Sequence, residues 1–170
     1  LHKPDIIIWP EYAFPLDLRR NESTRSTFEQ LVTEIDTPLL IGSVFYDTDG
    51  QEKKQYDVAL LITPEEGLVD VYRAQQPFYF AKEVTSGNKT GLFTIHNVSL
   101  GVLICNEELT EKVARTTAHE GASFFVALVN DQGMEGSAGL SLTGLYAALR
   151  AAENGRPLLR VTNTGITKSI

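Results

Sequence analysis

The side chains best suited to chemistry in this sequence are Glu11 and Cys105, because each follows an apolar run with the character of a buried strand. Glu11 comes after "IIIWP", where burial would raise the pKa of a carboxylate and make it a usable base. Cys105 ends "VSLGVLIC", and a helical pattern begins shortly afterwards at Thr110. A helix N-terminus lowers the pKa of a thiol and supplies hydrogen-bond donors, so we expect Cys105 to be an activated nucleophile.

Each of these residues also has a simpler interpretation. A single cysteine at the end of a strand is commonly a small, inert core residue. A glutamate after a Trp-Pro turn is commonly a solvated loop acid or a helix cap. Functional groups in open α/β sheets gather beyond the carboxyl ends of the strands, and both residues occupy such positions. Their residue types and places therefore favour chemistry without deciding it.

The elements that would position these residues form a mixed α/β pattern. Several apolar runs are continuous rather than alternating, which is typical of strands covered on both faces. The turn-forming stretches "DTDGQEKK" and "TPEEG" predict hairpins between the middle strands. Helical patterns occupy 24–35, 110–121 and 139–155. Strand-like runs are "DIIIW", "PLLIGSVFY", "YDVALLIT", "LVDVYRA", "VSLGVLIC", "SFFVALVN" and "PLLRVT". We predict one α/β domain with mixed sheets over residues 1–170.

Composition limits the possible partners. The 170 residues are 42% hydrophobic and carry a formal net charge of −7, which argues against binding to nucleic acid or to anionic lipid. A single cysteine excludes an internal disulfide and any cysteine-cluster metal site. The histidines at 2, 96 and 119 lack metal-ligand spacing. We predict no metal and no cofactor.

The motifs around both candidate residues resemble the nitrilase (carbon–nitrogen hydrolase) superfamily, and within it the nitrilase-like domain of the apolipoprotein N-acyltransferases. "PDIIIWPEYAFP" is similar to the strand that carries the family's catalytic glutamate, and "GVLICNEE" to its nucleophile segment. "VALVNDQGM" and "LRAAENGRPLLRVTNTGIT" resemble the last third of that domain. The resemblance implies a four-layer α–β–β–α sandwich. Because strand-like runs stand close to both ends of the sequence, we expect a fragment of a longer chain.

The resemblance also implies roles for individual residues. Glu11 would be the general base, Cys105 the nucleophile and Glu107 a second functional acid. Asn106, in place of the family's usual aromatic residue, and Asn130, which begins "NDQGM", would contact substrate. The implied reaction moves a fatty acyl group from a phospholipid, through a cysteine thioester, to the N-terminal amine of a lipoprotein. The parent protein would lie in the bacterial inner membrane with this domain on the periplasmic or outer side; a cytoplasmic location is the alternative.

The family's catalytic lysine has no direct counterpart in this sequence. In the corresponding stretch, "VYRAQQPFYFAKEV", the lysine position holds Ala74. The cation could have moved to Lys82, with Glu83 or Glu107 as its acid partner, or Arg73 could supply it. A third possibility is that the site has lost this group, and the domain is then a binding module without turnover. A soluble amidase of the same superfamily is a further alternative.

Overall fold

The computed structural model describes residues 3–50, 52–78 and 83–170, and it contains two mixed β-sheets. The first sheet has the order β1-β2-β3-β4, with β1 parallel to β2 and the other pairs antiparallel. The second has the order β5-β6-β7-β8-β9, with β6, β7 and β8 parallel and antiparallel strands at both edges. The first sheet comprises β1 Ile7–Trp9, β2 Leu39–Asp49, β3 Glu52–Thr63 and β4 Gly67–Arg73; the second comprises β5 Leu92–Ile95, β6 Val98–Ile104, β7 Phe124–Val129, β8 Leu158–Thr162 and β9 Lys168–Ser169. The helices are α1 Glu22–Ile35, α2 Glu111–His119, α3 Ala138–Asn154 and a 3₁₀ turn, Cys105–Leu109.

The apolar side chains divide into three clusters that define four layers. One cluster fills the space between the sheets and joins residues such as Leu61 and Val126. A second packs α1 against the outer face of the first sheet, and the third packs α2 and α3 against the outer face of the second. Because both faces of each sheet are covered, the middle strands read as continuous apolar runs. The predicted α–β–β–α fold class is confirmed.

Side-chain and glycine caps set the helix boundaries close to the predicted ones. Asn21 accepts a hydrogen bond from the backbone N–H of Thr24 at the start of α1 (3.1 Å), and Gly155 ends α3 with a positive φ of 58°. Thr110 precedes α2 as predicted, but its hydroxyl donates to the Glu107 carbonyl instead of capping the helix. The cap of α2 is therefore tied to the turn that carries Cys105.

Two short strands, β5 and β9, were missed by the sequence interpretation. β5 has four residues and turns into β6 through His96 and Asn97, both at positive φ. β9 has two residues and pairs with β8 only at Leu159 and Arg160. Strands this short have too few residues for alternation to be recognised, so only pairing with a longer neighbour defines them.

Candidate active site

Glu11 and Cys105 meet at the carboxyl ends of their strands. The side chains of Cys105 and Glu11 lie close enough for each to shift the pKa of the other, and Glu11 is only 5% exposed. The backbone N–H of Asn130, the residue after β7, lowers the pKa of both side chains. The ends of β1, β6 and β7 therefore converge on a pair formed by the buried Glu11 and the partly exposed Cys105, as the placement of both residues at strand ends predicted.

Cys105 occupies a strained turn between β6 and the 3₁₀ turn. Its φ is +47°, in the left-handed region that costs a non-glycine residue about 1–2 kcal/mol. Such strain persists where surrounding contacts over-determine the backbone, and it concentrates at functional sites. Here the carboxylate of Glu107 accepts the backbone N–H of Ile104 (2.7 Å) and closes the turn on either side of the thiol.

A glycine in β2 allows Glu11 to reach this place. A Cβ on Gly42 would lie 2.3 Å from the carbonyl oxygen of Pro10 and 2.6 Å from the Cα of Glu11. Gly42 lies on the face of β2 that is directed towards the second sheet, since it is two residues from Leu40 in the core between the sheets. The absence of a side chain there admits the Pro10–Glu11 backbone between the sheets.

Burial determines the protonation of the pair. Desolvation, followed by the negative charge of Asp57, raises the pKa of Glu11 to about 8. Desolvation and the charge of Glu11 raise the pKa of the Cys105 thiol far above its usual value. The expectation of a thiol activated by a helix N-terminus was wrong, because α2 begins only at Glu111 and burial dominates. Near neutral pH both Cys105 and Glu11 are therefore held mainly in their neutral, protonated forms.

Glu107 is completely buried and lies behind the turn that carries the thiol. One carboxylate oxygen accepts the hydroxyl of Tyr72 (2.7 Å) and the backbone N–H groups of Gln75 (2.7 Å) and Gln76 (3.2 Å). The other accepts the N–H of Ile104 (2.7 Å). Burial raises the pKa of Glu107 in spite of these donors. The carboxylate thus joins the segment after β4 to the turn that carries Cys105.

Asn106 and Asn130 also lie at the site. The amide of Asn106 donates to the carbonyl of Gln76 (3.3 Å), so its side chain fastens the same segment that Glu107 holds. The side-chain oxygen of Asn130 accepts from the backbone N–H of Gln132 (3.0 Å) and from the amide of Asn163 (2.6 Å). The backbone N–H of Asn130 is the group of this residue that acts on the Cys105 thiol, by lowering its pKa.

The position of the family lysine carries no charge. Ala74 is 1% exposed and packs in the core between the sheets. Arg73 lies on the opposite face of β4, where it pairs with Asp47 (3.0 Å) and stacks on the ring of Tyr56 (4.3 Å to the centroid). Arg73 is therefore excluded as the replacement cation. Lys82, the other candidate, lies outside the described residues.

A buried ion cluster lies beside the site and was not foreseen in this form. Two edges of the Arg160 guanidinium donate paired hydrogen bonds, one pair to Glu108 (2.9 and 3.0 Å) and one to Asp131 (2.8 and 3.0 Å). All three side chains are at most 1% exposed. Because Glu108 and Asp131 are close neighbours of Cys105 and Asn130 in the chain, the cluster ties together the ends of β6, β7 and β8. The sequence signal for it was a lone arginine inside an apolar strand.

Among the residues described, no group of three or more His, Cys, Asp and Glu side chains is arranged to hold a metal ion. Over the same residues, no helix combines the length and apolar character needed to cross a membrane.

A four-layer α–β–β–α sandwich with a cysteine on a strained strand-end turn opposite a buried glutamate defines a nitrilase-type site. The chain belongs to the carbon–nitrogen hydrolase family, whose family model matches residues 2–170. The resemblance seen in the sequence motifs is thereby confirmed.

Curated relatives bear the name apolipoprotein N-acyltransferase. The chain is 26% identical to apolipoprotein N-acyltransferase 2 of Treponema denticola over 96% of its length and 30% identical to the Thermotoga maritima protein over 95%. These alignments cover 37% and 33% of the two relatives, so the chain spans about a third of their length.

Solved structures of nitrilase-superfamily proteins share the fold. An amidase from Nesterenkonia sp. AN1, solved with the acetamide moiety of fluoroacetamide added covalently at its active site cysteine, superposes with a TM-score of 0.78 at 15% identity. The match covers 98% of this chain and 69% of the amidase. A carbon–nitrogen hydrolase from Helicobacter pylori G27 gives 0.76 at 16% identity, covering 96% and 63%.

Proposed function

We propose that Cys105 is the nucleophile and Glu11 the general base of an acyl-transfer reaction that proceeds through a thioester. The observation that carries this proposal is the close approach of a buried carboxyl group, Glu11, to a partly exposed thiol, Cys105, on a strained turn. An adjacent general base is one of the ways in which a protein activates a nucleophile. The names of the curated relatives favour acyl transfer to a lipoprotein.

The pKa values of the pair specify how the nucleophile would be formed. Because the thiol is neutral at rest, Glu11 accepts its proton as the sulfur bonds to the acyl carbonyl carbon. Glu11 then returns the proton to the departing lysophospholipid oxygen. In the second half-reaction an amine attacks the thioester and the thiolate leaves, recovering a proton that the amine loses. A base with a pKa of about 8 can both accept and return a proton near neutral pH.

The residues around the pair would act mainly by positioning it. Glu107 and Asn106 hold the segment that follows β4 against the nucleophile turn, so we assign them to shaping the substrate entrance. Asn130 would contribute its backbone N–H beside the sulfur. These roles modify the direct catalytic role predicted for Glu107 and the side-chain contacts predicted for Asn106 and Asn130.

Lys82 is the proposed electrophilic cation. Support comes from Val84, which forms an isolated β-bridge with Gln55 and returns the chain to β3 two residues after Lys82. Gln55 donates to the hydroxyl of Tyr12, the residue next to Glu11 (3.2 Å). Losing an electrophilic group of this kind costs about 10²–10³ in rate. If Lys82 is not the electrophilic cation, the uncharged Ala74 at the family's lysine position favours the second candidate function, a nitrilase-fold binding module without turnover.

We further propose that residues 1–170 form one nitrilase-like domain of a bacterial inner-membrane enzyme, with this domain on the periplasmic or outer side. The acyl donor would be a phospholipid and the acceptor the N-terminal amine of a lipoprotein. The names of the curated relatives support this assignment. Neither a metal nor a cofactor has a step in this chemistry.

The test is the mass of the intact protein after incubation in detergent with a phospholipid donor. A fatty-acyl increment that is absent in Cys105→Ser and removed by hydroxylamine would establish the thioester. Lys82→Ala should slow its formation about 100-fold, whereas Lys89→Ala, which removes an exposed lysine seven residues away, should not.

The outcomes separate the candidate functions. An adduct that an added lipopeptide amine discharges supports N-acyl transfer, and one that only water discharges supports a hydrolase. No adduct with the native protein, under conditions that label a known apolipoprotein N-acyltransferase, would refute the acyltransferase and favour the binding module.

A further inference from the structure

Tyr12 and Asp57 lie next to the thiol–carboxylate pair and have no place in the chemistry described so far. Tyr12 directly follows Glu11 and has a φ of +54°, a left-handed conformation that an aromatic residue adopts at a cost. Its hydroxyl donates to the carboxylate of Asp57 and accepts from the side-chain amide of Gln55 (3.2 Å). The strained residue beside the base is therefore fastened to β3 through its side chain.

The position of Asp57 in β3 directs its carboxylate into the space between the sheets. Asp57 is 5% exposed and lies two residues before Ala59, whose side chain faces the second sheet. The backbone carbonyl of Asp57 accepts the N–H of Ala74 (2.9 Å), so the same residue also anchors the end of β4. A charged side chain at this depth requires a hydrogen-bond donor, which the Tyr12 hydroxyl supplies.

We infer that Tyr12 and Asp57 form a positioning pair that holds the Glu11 turn beside the thiol and places a second buried carboxylate next to the base. This inference rests on the proposed role of Glu11. Two carboxylates buried in one site do not both ionise freely, so the charge of Asp57 disfavours ionisation of Glu11. Burial also raises the pKa of Asp57, and the hydrogen bond from the Tyr12 hydroxyl lowers it.

Some groups around Glu11 raise its pKa and others lower it. The thiol of Cys105 and the backbone N–H of Asn130 lower the pKa of Glu11, whereas desolvation, Asp57 and Glu107 raise it. Burial is the largest of these effects and Asp57 is the largest contribution from a charged neighbour. Removing the charge of Asp57 should therefore leave a buried base that titrates at a lower pH.

The experiment measures the rate at which iodoacetamide alkylates Cys105 in the folded, intact protein between pH 5 and 10. The alkylated fraction is determined from the mass of the peptide that contains Cys105, after the reaction is stopped and the protein digested. In the native protein the rate should rise with a midpoint near the Glu11 pKa of about 8. Asp57→Asn keeps an oxygen for the Tyr12 hydroxyl but removes the charge, so the midpoint should fall by about one pH unit. Asp70→Asn, the same change at an exposed position in β4, should leave it in place.

A second variant tests the hydrogen bond without changing a charge. Tyr12→Phe removes the hydroxyl that fastens the turn to Asp57, and we expect the plateau rate of alkylation to fall about tenfold. Glu11→Gln should abolish the transition near pH 8. If Asp57→Asn does not fold, as judged by circular dichroism, the plateau rate of alkylation in Tyr12→Phe decides whether the pair positions Glu11.

The inference is overturned by a folded Asp57→Asn variant whose midpoint equals that of Asp70→Asn, by an unchanged plateau in Tyr12→Phe, or by a transition that survives in Glu11→Gln. Because alkylation needs no acyl donor, the test is separate from the proposed function. A shifted midpoint in a protein that forms no thioester would support the positioning pair and refute the acyltransferase.

Discussion

Replacing Arg160 by methionine tests whether the buried ion cluster holds the strand ends together. The guanidinium is 1% exposed and makes paired hydrogen bonds to both Glu108 and Asp131. Methionine has a similar length but leaves two buried carboxylates without a cation. Removing one partner from a buried ionic group costs about 3–5 kcal/mol. That is a large part of the roughly 5–15 kcal/mol that stabilises a typical domain.

The stability lost in Arg160→Met should be larger at pH 8 than at pH 5. Although burial raises it, hydrogen bonds from Arg160 and Thr162 hold the pKa of Asp131 below its usual 3.8. In the native protein this carboxylate contributes stability above pH 3.8, which is lost as the pH falls through the lower folded pKa. Without Arg160 the buried carboxylates bind protons more readily in the folded state. The variant should therefore recover part of its lost stability between pH 8 and pH 5.

Urea unfolding at pH 8 and pH 5 measures the stability lost in Arg160→Met and its dependence on pH. Arg160→Lys keeps the charge but not the planar fork, so its loss of stability should be intermediate. Arg115→Met is the matched control, because it breaks an exposed pair with Glu111 whose contribution is about 0.5 kcal/mol or less. A cost for Arg160→Met below about 1 kcal/mol, or one equal at both pH values, would refute the role assigned to the cluster.

Other substitutions test the remaining parts of the site. Gly42→Ala places a Cβ 2.3 Å from the carbonyl oxygen of Pro10, so the turn carrying Glu11 must move; thioester formation should fall about tenfold or more. Cys105→Gly should melt at or above the temperature of Cys105→Ala in calorimetry, because glycine relieves the strain at a φ of +47°. The folded pKa of Glu11 is about 8 against 4.5 unfolded, so stability relative to Glu11→Gln should fall by a few kcal/mol between pH 4.5 and 8, as measured by urea unfolding.

Controls keep these outcomes specific. Gly144→Ala lies within α3, where a Cβ would meet only the flexible end of Lys168 at 3.3 Å, so it should preserve thioester formation. Equal losses of thioester formation in Gly42→Ala and Gly144→Ala would contradict the close approach of the Pro10–Glu11 backbone to Gly42 of β2. A Cys105→Ala variant that melts well above Cys105→Gly would contradict the strained turn. A stability difference from Glu11→Gln that is constant with pH would show that Glu11 is not desolvated in the folded protein.

Local pattern determined the elements that build the fold. The continuous apolar runs that became β2, β3, β6 and β7 were recognisable because strands buried on both faces must be apolar throughout. Asn154-Gly155 marked the end of α3 because a left-handed cap favours glycine. Positions at strand ends, together with the family motifs, identified Glu11 and Cys105 as candidates. Each of these inferences depends on residues close together in the chain.

Only the tertiary structure decided how those residues behave. The direction of the Cys105 pKa depends on burial and on a carboxylate 94 positions away in the sequence, and the nearby helix pattern suggested the opposite sign. Arg73 was a candidate cation until the pleat of β4 placed it on the outer face. Asp57 had no local signal of its role, and the lone Arg160 in an apolar strand did not show which carboxylates it binds. Desolvation and charge coupling depend on the whole three-dimensional surroundings, and a local sequence pattern does not specify them.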